Sequence, residues 1–180
     1  MNFDFAVLDW MQSVLRCTFL DYLMAAFSYA AEAGAVWIVL GLVLLFFKKT
    51  RAAGMMLLIA LLLGWVLGDL IIKPLVHRSR PFVVNPEVVP FIKKPSSFSF
   101  PSGHSCTSAV AATVLLVKQR KIGLAVLPFS LLVMLSRLYN YVHFPTDVLG
   151  GALLGVLSAL FVMLVFRKTG LENKLSPKEQ

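Results

Sequence analysis

The chain has 180 residues (19.9 kDa), 58% of them apolar and 14% charged, with a mean hydropathy of +0.81. Soluble domains run at roughly 45–50% apolar, so an ordinary soluble globule is excluded, as are disorder, collagen and a coiled coil, and lipid is the expected solvent for most of the chain. Lys and Arg outnumber Asp and Glu by 17 to 9, a net charge of +8, but these cations stand at the ends of apolar runs as in membrane proteins, which sets nucleic acid aside as a partner.

Residues 1–20 alternate Phe3, Phe5, Val7, Leu8, Met11, Val14 and Leu15 with Asp4, Asp9, Gln12 and Arg16, the pattern of an amphipathic helix lying in the membrane interface. Asp4 and Asp9 stand where a signal peptide carries positive charge, so no cleaved leader is expected. With about 20 apolar residues needed per span, five spans follow at 22–47, 52–72, 103–117, 123–141 and 147–166. The count becomes six if residues 1–20 also cross. The predicted fold is all-α: an integral-membrane helical bundle forming one domain over 1–180, with a cytoplasmic tail at 168–180.

Glu32 falls inside the first span, where an ionised carboxylate costs about 3 kcal/mol. It is expected to face the bundle interior, either paired with a cation or histidine of the site or held in a structural hydrogen bond. Residues 81–101 are unlike the other connections. Pro81, Pro86, Pro90, Pro95 and Pro101 forbid a regular helix, and Phe82, Phe91, Phe98 and Phe100 suit the headgroup layer, so this segment is expected to form an extracytoplasmic lid. Cys17 and Cys106 have neither zinc-ligand nor CxxC spacing and are expected to be small packed side chains. Gly151 and Gly155 are expected to mark close helix packing, and Tyr139, Asn140 and Tyr141 an interfacial belt.

Orientation follows from the cations. Lys48, Lys49, Arg51, Lys118, Arg120, Lys121, Arg167, Lys168, Lys174 and Lys178 share one side by the span count. Arg16, Lys73, Arg78, Arg80, Lys93, Lys94 and Arg137 share the other. The first set forms short clusters with no acid before Glu172, so that side is expected to be cytoplasmic, with the C-terminus inside and the N-terminus outside.

Three polar clusters lie at the outer ends of spans two to five, where ionisable groups need a reason. They are Lys73 to Pro81, Pro101 to Ser105, and Ser136 to Asp147. Lys73, Arg80 and Arg137 supply three cations suited to a phosphate dianion, with the guanidinium groups giving planar paired donors. The Ser102-Gly103 step opens span three, so its free N–H groups and helix dipole can hold a further phosphate oxygen. His143 and Asp147 are four apart; on the opening turn of span five they would share a face, with Asp147 holding one ring nitrogen while the other is aimed at phosphorus. His104 is then left to protonate the departing oxygen. Asp69, one turn before Lys73, is expected to position it. Arg78 can reach a second phosphate or a solvated headgroup. No His/Cys/Asp/Glu set has metal-ligand spacing once these residues are assigned, so neither a metal nor another cofactor is expected.

The series Lys73-x6-Arg80-Pro81, Pro101-Ser-Gly-His104 and Ser136-Arg137-x5-His143-x3-Asp147 resembles the three-part signature of the type 2 phosphatidic acid phosphatase (PAP2) superfamily. The resemblance implies a small bacterial integral-membrane lipid phosphatase, metal-independent, working through a phosphohistidine intermediate. It implies His143 as nucleophile, Asp147 as its partner and His104 as general acid, with Lys73, Arg80, Ser102, Gly103 and Arg137 as phosphate ligands. Undecaprenyl diphosphate is the substrate that an outward-facing site suits, with phosphatidylglycerol phosphate and phosphatidic acid as alternatives. A non-enzymatic lipid or anion carrier would need the cations but has no use for His104 and His143 placed with Asp147.

Overall fold

The computed structural model describes residues 3–176; Lys178 and the rest of the expected tail beyond residue 176 lie outside the described residues. The chain forms α1 (Phe3–Val14), α2 (Thr18–Ala30), a 3-10 turn (Glu32–Gly34), α3 (Ala35–Leu45), α4 (Arg51–Trp65), a π-helical segment (Val66–Ile72), α5 (Lys73–Val76), α6 (Pro81–Val84), α7 (Gly103–Lys118), α8 (Arg120–Tyr139), α9 (Pro145–Thr169) and α10 (Leu171–Leu175). No strand occurs among the described residues.

Helix α7 is the axis of the bundle, packed against α4, α8 and α9, while α3 lies outside on α4 and α2 on α8. Ala111, Val114 and Leu115 of α7 join Met56, Leu57 and Ala60 of α4 and Val162 and Phe166 of α9 in one core. The outer faces are apolar too: Leu149, Leu153, Leu157, Leu160 and Leu164 of α9 are all exposed. A helix apolar on every side belongs in a bilayer. Among the described residues Arg51–Val84, α8 and α9 are long and apolar enough to cross one, and the bent pair α2–α3 has the composition of either a broken span or a re-entrant loop, giving three or four; the molecule is an integral membrane protein.

Where helices start, stop or break can be traced to particular residues. Ser102 caps α7, its hydroxyl accepting from Ser105 N at 3.3 Å. Pro145 occupies the first position of α9 and Gly170 ends it at φ 69°. The expected first span is broken, because Ala33 (φ 51°) and Gly34 (φ 72°) are both left-handed and set α2 and α3 at 41°. The second span opens into a π turn just before Pro74, which lacks the N–H that an α-helix would bond to Leu70.

Several expectations are corrected. The N-terminal helix, expected over residues 1–20, ends at Val14 and packs on α8 and α9, with Asp4, Asp9 and Gln12 bonded to protein groups. Tyr139, Asn140 and Tyr141 are buried, not a belt. Tyr141 donates to Asp9 at 2.7 Å, Tyr139 donates to Asp21 at 2.9 Å, and Gln12 donates to the Tyr139 carbonyl at 2.8 Å. Two helices laid over this face hide it from solvent. Cys17 is exposed while Cys106 is packed. Within 81–101 the chain does form one helical turn, α6, because Pro81 sits at its start where no N–H is needed.

Candidate active site

The three polar clusters meet at one end of the bundle around a cavity of about 550 Å³. Lys73 reaches it from the end of the π turn, Arg80 from the residue before α6, Gly103 and His104 from the first turn of α7, Arg137 from the last turn of α8, and His143 from the loop between α8 and α9. Glu32, Asp69 and Ser97 join the polar lining; Ile38, Leu58, Leu61, Leu62 and Trp65 of α3 and α4 supply apolar lining.

His143 is only 2% exposed. Arg80 Nη1 lies 3.1 Å from its Nε2, and a guanidinium can only donate, so Nε2 accepts and the hydrogen-bond network assigns the ring proton to Nδ1. Nδ1 faces Asp147 Oδ2 at 3.5 Å. Burial, then the charges of Arg80, Arg137 and Lys73, push the imidazole pKa well below 6.5. The ring is therefore neutral, with its lone pair on the nitrogen turned from Asp147.

Asp147 is completely buried. Its Oδ2 accepts from Ser99 Oγ at 2.5 Å and from Phe144 N at 2.8 Å, and its Oδ1 accepts from Arg78 Nη1 at 2.5 Å. Asp147 stands at the third position of α9, where a carboxylate returning to the cap N–H is one half of a capping box. His143, however, is not on the opening turn of α9. It precedes the cap residue Phe144, in a loop turned by Tyr141 at φ 57° and tied by Val142 N and His143 N to the Arg137 carbonyl at 3.2 and 3.3 Å. The loop, and not helical periodicity, brings the histidine to the carboxylate.

On the facing wall, His104 Nε2 lies 3.2 Å from the Ser28 carbonyl and 3.7 Å from Glu32 Oε2. Glu32 thus pairs with a site histidine, but its side chain is 66% exposed and does not face the bundle interior. The break between α2 and α3 puts it at the cavity, which removes the expected burial cost. Lys73 Nζ lies 2.5 Å from Asp69 Oδ1. Arg137 Nη1 donates to Ser28 Oγ, and its buried Nε has no partner among the described residues. Arg80 uses every N–H it has: Nε to the Ser97 carbonyl, Nη1 to the Val142 carbonyl and His143, Nη2 to Ser97 Oγ and the Phe98 carbonyl. An anion reaching Arg80 must replace one of these acceptors.

Ser102 does not line the cavity; it is fully buried, capping α7 and donating its N–H to the Asp147 carbonyl at 3.0 Å. With Ser105 N bonded to the cap, the N–H groups of Gly103 and His104 are the α7 donors left for an anion. Arg78 does not line the cavity; its guanidinium is bonded to Asp147, Asp4 and Thr146. Ser28, Ser97 and Ser99 were not legible as site residues, since each acts through a contact with a residue distant in sequence. Only Ser99, two residues before Pro101, lay near a motif.

A sequence model of the PAP2 superfamily matches residues 50–171. The chain belongs to the PAP2 superfamily. An undecaprenyl-diphosphatase of Sulfolobus acidocaldarius is 39% identical over 122 residues, which cover 67% of this chain and 58% of that relative's length. Among solved structures, LpxE of Aquifex aeolicus superposes with a TM-score of 0.78 at 26% identity, covering 91% of this chain and 96% of that one. The PAP2-type phosphatidylglycerolphosphate phosphatase of Bacillus subtilis superposes with a TM-score of 0.71 at 29% identity, covering 92% and 85%. Of the PAP2 signature residues, Lys73, Arg80, Gly103, His104, Arg137 and His143 line the cavity, with Ser102 and Asp147 directly behind them.

Proposed function

We propose that this PAP2 protein hydrolyses a lipid phosphate or diphosphate without a metal, and that its substrate is undecaprenyl diphosphate, cleaved to undecaprenyl phosphate and inorganic phosphate. The observation that carries the reading is that His143, His104 and three cations line one cavity together with apolar residues of α3 and α4. Lys73, Arg80, Arg137 and the Gly103 and His104 amides hold the terminal phosphoryl oxygens and balance the charge that grows on them. His143 Nε2 attacks phosphorus as the bond from phosphorus to the leaving oxygen breaks, and protonated His104 gives that oxygen its proton. Water then attacks the phosphohistidine, His104 takes the water's proton, and the P–N bond breaks to release phosphate and restore His143. The apolar lining of Ile38, Leu58, Leu61, Leu62 and Trp65 suits a prenyl or acyl chain. The substrate choice draws on the Sulfolobus relative's name.

Five crossings fit this reading: the broken pair α2–α3, α4, α7, α8 and α9, with the site on the extracytoplasmic side of a bacterial cytoplasmic membrane and residues 81–101 as its lid. The opposite end gathers the cation-rich connections, where Gln119 donates to the Lys49 carbonyl and Lys118 pairs with Glu172 at 2.7 Å. In a Cys17→Ser background, an impermeant thiol reagent applied to intact cells is expected to label Asn85→Cys and not Gln119→Cys; the reverse pattern overturns the orientation.

The deciding experiment measures phosphate release from undecaprenyl diphosphate, phosphatidylglycerol phosphate and phosphatidic acid by purified protein in detergent. Undecaprenyl diphosphate is expected to have the highest kcat/KM, and His143→Ala to abolish release from all three. A higher value for phosphatidylglycerol phosphate would reassign the substrate, and no release from any lipid would favour a carrier.

A further inference from the structure

Catalysis by His143 depends on a carboxylate, Asp147, that has no exposure to water and must keep one orientation. A buried carboxylate needs a partner of opposite charge and filled hydrogen-bonding positions. His143 itself is neutral, and the cavity cations are not within hydrogen-bonding distance of Asp147. The charge comes from outside the cavity. Arg78 Nη1 donates to Asp147 Oδ1 at 2.5 Å and to Thr146 Oγ1 at 2.6 Å, while its Nη2 donates to Asp4 Oδ2 at 2.6 Å. Asp4, on the first turn of α1 and 3% exposed, also accepts from Thr146 N at 3.1 Å and Thr146 Oγ1 at 2.8 Å.

Both oxygens of Asp147 hang from this assembly. Oδ1 is held by the Arg78 side chain directly. Oδ2 is held by Ser99 Oγ, and Ser99 is fixed in turn by donating its N–H to the Arg78 carbonyl at 2.8 Å. The guanidinium also lies 4.2 Å from the centre of the Phe144 ring, against which Phe5 of α1 packs edge-on at 5.1 Å. Phe144 is the residue between His143 and the start of α9, so the same contacts clamp the chain that carries the nucleophile.

We infer that Arg78 and Asp4 are positioning residues for phosphoryl transfer: α1, through Asp4, braces Arg78 against Asp147 and thereby fixes the carboxylate that orients His143. Neither residue lines the cavity, so neither touches substrate. The inference rests on the phosphohistidine reading above. It gives α1 a catalytic purpose beyond covering the bundle.

The test is a kinetic cycle on purified full-length protein with nitrophenyl phosphate and the preferred lipid, using orthovanadate inhibition as a separate report on the phosphate pocket. R78Q is expected to lower kcat roughly 10²-fold, as for a reacting group displaced by about 1 Å, with KM and vanadate inhibition unchanged. R78K keeps the charge but loses the fork and is expected to recover part of kcat; D4N is expected to lose less than R78Q, with the same split between kcat and KM. Because Arg78 acts through Asp147, R78Q/D147N is expected to be no slower than D147N alone.

A raised KM or weakened vanadate inhibition in R78Q would place Arg78 on the substrate and overturn the inference, as would losses that multiply in the double variant. Should R78Q fail to fold by thermal melting, R78K and D4N carry the same cycle with D147N. A wild type that releases phosphate from no ester refutes the function and this inference with it; an active wild type with R78Q, R78K and D4N unimpaired refutes the inference alone.

Discussion

Replacing Gly151 with alanine puts a methyl carbon 2.3 Å from the Ser102 carbonyl oxygen and 3.2 Å from Ser102 N. Carbon contacts are comfortable near 3.5 Å, so backbone must move by about 1 Å, and neither neighbour is a flexible side-chain tip. What moves is the joint between α9 and the start of α7, where Ser102 caps α7 and donates to the Asp147 carbonyl. Gly155→Ala makes a matched clash one turn deeper, with its methyl carbon 2.3 Å from the Cys106 carbonyl oxygen. Overpacking of this kind costs about 1–3 kcal/mol, so both variants are expected to melt earlier, by similar amounts. Activity should separate them. Displacing the Gly103 and His104 donors by about 1 Å is expected to cost Gly151→Ala about 10²-fold in kcat, whereas Gly155→Ala is expected to stay within a few-fold of wild type. Melting in detergent and turnover of an aryl phosphate, measured on both variants, decide it. If kcat falls equally in the two, or if Gly151→Ala is as stable and active as wild type, the close approach of α9 does not hold the phosphate site in place.

In the proposed mechanism Lys73, Arg80 and Arg137 balance the phosphate charge, so activity is expected to survive EDTA; loss with chelator and recovery with one divalent metal refutes the mechanism. His104→Ala is expected to lose roughly 10²–10⁴-fold on a lipid phosphate but far less on a nitrophenyl ester, whose leaving group needs little protonation; equal fractional losses remove His104 as leaving-group acid. His143 has its folded pKa held well below 6.5 by burial and then by Arg80, Arg137 and Lys73. The unfolded chain therefore binds a proton that the folded one refuses. The stability His143 contributes is full above pH 6.5 and falls below it by up to about 1.4 kcal/mol per pH unit. His143→Gln is expected to lose less stability than wild type between pH 7 and 5; equal losses by thermal melting would contradict the assignment of a buried neutral ring.

The cavity-lining residues were legible because their chemistry is costly in lipid: Lys73, Arg80, Arg137 and the two histidines at the ends of apolar runs demanded a purpose, and their spacing supplied it. The roles behind the lining were not legible. Ser102 reads as a phosphate ligand from its place at a helix start, yet the same place makes it the cap, and capping turns its hydroxyl inward. Arg78 reads like one more cation of the cluster. Its partners Asp4 and Asp147 lie 74 and 69 residues away, a pairing that no local pattern encodes. Likewise Asp4, Asp9 and Gln12 look interfacial on α1 because amphipathicity says only that a face is polar, not whether water or another helix meets it.

Several of the site residues sit at departures from regular helix. Glu32 stands in the 3-10 turn between α2 and α3, Asp69 in the π turn that leads to Lys73, Ser102 before the first turn of α7, and His143 in the loop after the left-handed Tyr141. Inside a bilayer an unwound backbone is tolerated only where it is covered by protein or lines a cavity, because lipid cannot satisfy a freed N–H or carbonyl. Here the freed groups are used. The Ser28 carbonyl, in the last turn before the break, meets His104; Gly103 and His104, on the first turn of α7, line the cavity; and the Arg137 carbonyl, at the end of α8, holds the loop of His143. Irregular segments and helix ends thus leave backbone groups without intrahelical partners at one end of the bundle, and two of these groups hold the two histidines. The same requirement keeps the π turn next to the cavity: moving it to a lipid-facing stretch of α4 would leave the groups it frees without a partner.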